Sequence, residues 1–109
     1  MRLHVLLVAP ALVGACGGAL TEGESQFKKG RYPEAKQTLA SLERDSRSWD
    51  DATRAEYALY RGLTFEALGD RAQAGVWLRE AKAIEDVRPG SLSREDGQRL
   101  KVGLDTADE

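Results

Sequence analysis

Beyond residue 18, apolar side chains recur three or four positions apart. Leu39, Leu42, Leu59, Leu63, Phe65, Leu78, Ala81 and Ile84 all sit at helical spacing. No Val/Ile/Thr-rich alternation follows residue 16, so the pattern offers no strand. Ala, Leu, Glu, Arg and Lys dominate the composition, as helices prefer. The predicted class is all-α.

Caps and breakers divide that pattern. Thr21-x-x-Glu24 reads as a capping box that opens a first helix, which Gly30 closes. Pro33, at a first helical position, starts a second helix running to about Arg44. Ser46-Arg47-Ser48 reads as a loop, and Ser48-x-x-Asp51 caps a third helix that ends at Gly69. A fourth helix runs from near Arg71 to Ile84 or Glu85. Pro89-Gly90 breaks the chain, and Ser93-x-x-Asp96 starts a weaker fifth helix that holds Leu100 and Leu104. Gly97 and Gly103 oppose that last helix by about 1 kcal/mol each.

The N-terminus follows a different pattern. Met1 to His4 is a short positive start, Val5 to Val13 an apolar run, and Gly14-Ala15 a small-residue end. These are the three parts of a secretory signal peptide. The run is roughly half of the ~20 apolar residues that a spanning helix needs, and Pro10 interrupts it. Val13-Gly14-Ala15-Cys16 then resembles the lipobox of bacterial lipoproteins, with Val and Gly standing where Leu and Ala are usual. The resemblance implies that Cys16, the only cysteine, is lipidated and becomes the first residue of the mature chain. Ordinary cleavage after Ala15 is the alternative, but it leaves an orphan thiol in an oxidising compartment. Lipidation accounts for both the single cysteine and its position.

Cleavage there also removes His4, the only histidine, and blocks the one thiol. Metal sites built from His and Cys are then excluded, as are Cys/His and Ser/His/Asp catalytic arrangements. No phosphate-binding glycine loop is present. The adjacent acidic pairs Asp50-Asp51, Glu85-Asp86 and Glu95-Asp96 point about 100° apart on a helix, so they read as solvated or helix-start charge. Loss of Arg2 leaves 15 basic and 18 acidic residues, a mature net charge of −3. With no basic face, nucleic acid is not the expected partner, and no cofactor is expected either.

Two helix pairs repeat one another. Gly23, Gly30, Ala35 and Leu39 have the same spacing as Gly62, Gly69, Ala74 and Leu78, 39 residues further on. Gly62-x-x-Phe65 and Ala74-x-x-x-Leu78, continuing to Ala81, resemble the tetratricopeptide repeat (TPR) family. The first copy departs from that family at Gln26 and Leu42, both copies carry a charge where Leu is preferred (Glu22 and Arg61), and the spacing exceeds the family's usual ~34 residues. The resemblance covers residues 19–86. It implies two TPR-like helical hairpins of an α-solenoid fragment, with residues 87–109 as a turn, a C-terminal capping helix and a polar tail. Residues 1–15 are the signal peptide and 16–18 the lipidated N-terminus. Phe27, Tyr32, Tyr57, Tyr60 and Trp77 are expected to rim or fill the core.

TPR arrays bind proteins on a concave face lined by the first helix of each hairpin. By that resemblance the partner-binding residues are Leu20, Glu24, Phe27, Lys28, Glu56, Leu59, Leu63 and Glu66. The alternative is that the apolar members contact the neighbouring hairpin. The implied function is a lipid-anchored adaptor or assembly factor of the bacterial cell envelope, on the outer membrane facing the periplasm if the host has two membranes. Its partner would be a membrane-embedded or membrane-apposed protein. A structural envelope lipoprotein that self-associates is the second reading. An enzyme is the third, and it needs a converging Asp/Glu pair in a pocket.

Overall fold

The structure, a computed structural model, describes residues 18–109. The signal peptide and Cys16 readings lie outside the described residues. Among the described residues there are six helices: α1 (residues 18–28), α2 (Tyr32–Ala40), α3 (Glu43–Ser46), α4 (Asp51–Ala67), α5 (Arg71–Val87) and α6 (Arg94–Ala107). Among the described residues there is no strand. No helix among the described residues is long and apolar enough to cross a membrane.

Several boundaries differ from expectation, each for a local reason. Thr21 caps nothing, because α1 is already helical at residue 18 and carries Leu20 into the core at 7% exposure. Burial of that turn outweighs the capping-box signature. The second helix stops at Ala40 instead of reaching Arg44. There the Ser41 hydroxyl donates back to the Thr38 carbonyl at 2.7 Å, and the redirected chain buries Leu42 before the short α3. Asp50, not Ser48, caps α4, accepting from the Thr53 amide. Asp70 caps α5 and Ser93 caps α6 in the same way, the latter as the sequence predicts.

Contacts fix the directions of the helices. Moving up α4 from Asp51 through Arg54 to Tyr57, the partners on the far side move down from Arg88 through Glu80 to Trp77. So α4 and α5 are antiparallel. Gly23 meets Leu39 and Phe27 stacks on Tyr32, so α1 and α2 are antiparallel too. The repeated residues hold matching stations in the two pairs. Gly23 and Gly62 face Leu39 and Leu78, Ala35 and Ala74 are fully buried, and Gly30 and Gly69 take φ of +79° and +86° just past a helix end.

The core lies where the two pairs meet. Tyr57, Leu39, Leu59 and Leu78 are at most 1% exposed, and each of the three leucines contributes about 1.5–3 kcal/mol of burial. The Tyr57 hydroxyl donates to the Leu39 carbonyl at 2.7 Å, tying α4 to α2. Arg61 explains the charge that the repeat pattern left odd. Its guanidinium lies 4.4 Å from the Trp77 ring centroid and 2.8 Å from the Glu43 carboxylate, bridging α4 to α5 and α3.

Candidate partner-binding groove

Three helices build one face. Glu24 lies against Glu56 and Phe27 against Tyr60, so α1 and α4 run in the same direction. Tyr60 bonds Asp96, and Gly103 meets Leu63 farther along, so α6 lies parallel on the other side of α4. Gly103 is what lets α6 settle there. A Cβ at that position would come 3.1 Å from Leu63 and 3.2 Å from Leu78, so both side chains would have to give way to it.

Between α1, α4 and α6 lies a recess of about 350 Å³, lined by Phe27, Leu63, Glu66, Gln98, Arg99, Val102 and Gly103. Its walls are mainly apolar, and Val102 stands on its rim at 64% exposure. A larger recess of about 570 Å³ sits beside the 88–91 loop, where Arg88 is paired to Asp51 at 2.6 Å. That one is a polar cleft between a loop and a helix start, with its cation already neutralised.

The face carries an unusual set of carboxyl groups. Burial, and then the neighbouring Glu56, push the Glu24 carboxyl up from its ordinary 4.5 to about 9. Oε2 of Glu24 is shielded from water and has no hydrogen-bond partner, which favours the neutral acid beside Glu56. Alongside, the Tyr60 hydroxyl donates to Asp96 at 2.7 Å, and Arg99 donates to the same oxygen at 2.9 Å. Burial and the Asp96 carboxylate raise the Tyr60 hydroxyl well above its usual range, so it stays a donor. Lys28 sits 5.5 Å over the Tyr60 ring. Glu66, at the recess, is raised by burial, with Oε2 also unpartnered.

Of the eight residues predicted to bind a partner, the structure brings Phe27, Leu63 and Glu66 to the recess and sets Glu24, Glu56 and Lys28 beside it. Leu20 and Leu59 correct the prediction. They are 7% and 0% exposed, packed between helices rather than presented to a partner, and Leu63 at 9% is floor and not rim. These leucines fill the space between the helix pairs, which was the alternative reading of the same pattern.

The sequence reading missed the contribution of α6. Asp96, Arg99 and Gly103 fall on one helical face, and that spacing was the available signal. It also missed the Glu24–Glu56 pair, whose members lie on different helices. The acidic pairs that are adjacent in sequence do not act as pairs. Asp50 caps α4, Asp96 holds Tyr60, and Glu85 accepts the Gly90 and Leu92 amides at 2.7 and 2.9 Å, which lowers its pKa and pins the loop before α6.

Among the described residues, no group of three or more His, Cys, Asp or Glu side chains could hold a metal ion. The Glu24–Glu56 pair can hold a proton, but neither residue lines the recess. No protein-family model matches the chain, and comparisons with characterised proteins and with solved structures return no match.

Proposed function

We propose that this chain is a TPR-type protein-interaction adaptor or assembly factor of the bacterial cell envelope, tethered to the membrane by a lipid on Cys16. The observation that carries the reading is the mainly apolar recess between three parallel helices, with an exposed valine on its rim. The matching stations of Gly23, Gly30, Ala35, Leu39 and Gly62, Gly69, Ala74, Leu78 support a repeat of helical hairpins, with α6 as the capping helix. The lipobox-like Val13-Gly14-Ala15-Cys16 supports the tether and its envelope location, on the outer membrane where the host has two. With α1 already helical at residue 18, almost no linker separates that cysteine from the domain, so the partner is a membrane-embedded or membrane-apposed protein.

Affinity isolation from cross-linked membranes tests this with two exposed valines. Val102→Arg fills the groove, whereas Val76→Arg alters α5 outside it. A specific protein lost with the first variant and kept with the second supports the adaptor. Equal recovery with both overturns it. If the only species recovered is another copy of the chain, the self-associating structural lipoprotein takes its place.

A further inference from the structure

The groove carries information about the chemistry of its occupant, given that it binds a protein at all, as proposed above. Its volume, about 350 Å³, is at the low end of the roughly 300–1,000 Å³ of ligand sites, room for a side chain or two. Phe27, Leu63 and Val102 give that space an apolar lining. Glu66 lines the space too, with Gln98 and Arg99, and its Oε2 is buried without a hydrogen-bond partner. A buried acceptor left unmade is costly; Arg71 favours the charged form through space, but no side chain donates to Oε2. Arg99 donates to Asp96 at 2.9 Å, and Arg71 donates to the Thr106 carbonyl at 2.9 Å. Glu109 adds a further negative charge near Glu66. Across the whole face, with Glu24 protonated, the carboxyl groups of Glu56, Glu66, Asp96 and Glu109 still outnumber the cations Lys28, Arg71 and Arg99. The unfilled position is therefore that of a cationic donor next to an apolar group.

We propose that the groove receives a partner polypeptide segment presenting an apolar side chain beside a lysine or arginine. The apolar group enters between Phe27, Leu63 and Val102, and the cation pairs with Glu66. An acyl chain would fill the apolar part but leave Glu66 unsatisfied, and an anionic headgroup would meet an excess of carboxyl groups.

The test uses the full chain in detergent micelles and three fluorescein-labelled Gly/Ser-based peptides, with a central Leu-Lys, Leu-Gln or Leu-Glu, read by fluorescence anisotropy. Leu-Lys is expected to bind about tenfold more tightly than Leu-Glu, the scale of one charge-assisted hydrogen bond gained or lost. Glu66→Gln should bring the Leu-Lys to Leu-Gln ratio close to one. The proposal is overturned by equal binding of all three peptides, by a Leu-Lys preference that survives Glu66→Gln, or by no binding at millimolar peptide. It is also overturned if the protein self-associates in a way that Val102→Arg abolishes, since the occupant is then a second copy. A partner still recovered from membranes in a Val102-dependent way, without any cation preference among the peptides, refutes the basic segment and leaves the adaptor standing. Loss of that Val102 dependence refutes the adaptor itself.

Discussion

Replacing Gly62 with alanine places a methyl carbon 2.7 Å from Leu78 Cγ and 3.0 Å from the Leu78 backbone nitrogen. Two effects compete. Alanine favours a helix over glycine by about 1 kcal/mol, while forcing a methyl group into a filled contact costs about 1–3 kcal/mol. The backbone contact decides between them, because Leu78 is fully buried and α5 itself must shift to make room. A net loss of up to about 2 kcal/mol follows, and at roughly 4–8 °C per kcal/mol for a domain of this size the melting temperature falls by up to about 15 °C. Gly97→Ala is the control, since a Cβ there meets nothing within 4 Å. It should gain about 0.5–1 kcal/mol from helix propensity alone. Thermal and urea unfolding followed by circular dichroism measures both. A Gly62→Ala protein that melts at or above the wild-type temperature refutes the close crossing of α4 and α5.

Other outcomes follow from particular contacts. Tyr57→Phe removes the buried bond to the Leu39 carbonyl and should cost about 1–2 kcal/mol in urea unfolding, whereas an unchanged midpoint would mean that this bond does not hold α2 to α4. Glu24 has its folded-state pKa raised from 4.5 to about 9, so its contribution to stability is fully present below about 4.5 and is lost as pH rises towards 9. Glu24→Gln should therefore flatten the decline in melting temperature across that window, and an unaltered slope would contradict the protonated contact with Glu56. A clickable fatty acid should label the wild-type protein in cells and not Cys16→Ser, and equal labelling of both would end the lipid-anchor reading.

The helices were legible because local signals agree with packing over most of the chain. Gly30, Gly69 and Gly90 all take positive φ just beyond helix ends, and Ser93 caps α6 as its spacing indicates. Where prediction slipped, tertiary burial overrode a local motif, as at Leu20 in α1 and Leu42 after α2. The binding face was only half legible. Periodicity places Leu20, Leu59 and Leu63 on the apolar side of their helices, but it does not say whether a helix or a partner covers that side. Nor can it pair residues across helices. The Glu24–Glu56 contact and the Tyr60–Asp96 bond depend on how α1 and α6 align against α4, which no local pattern encodes.

The most direct measurement is site-specific photo-cross-linking in cells, with the photoreactive residue at Val102 in the groove or at Val76 on α5. Both side chains are more than half exposed, so neither insertion disturbs the core. The account predicts a discrete protein adduct from Val102, mapped to a segment of another protein, and none from Val76. Adducts from Val76 alone, or no protein adduct from either position, would contradict it.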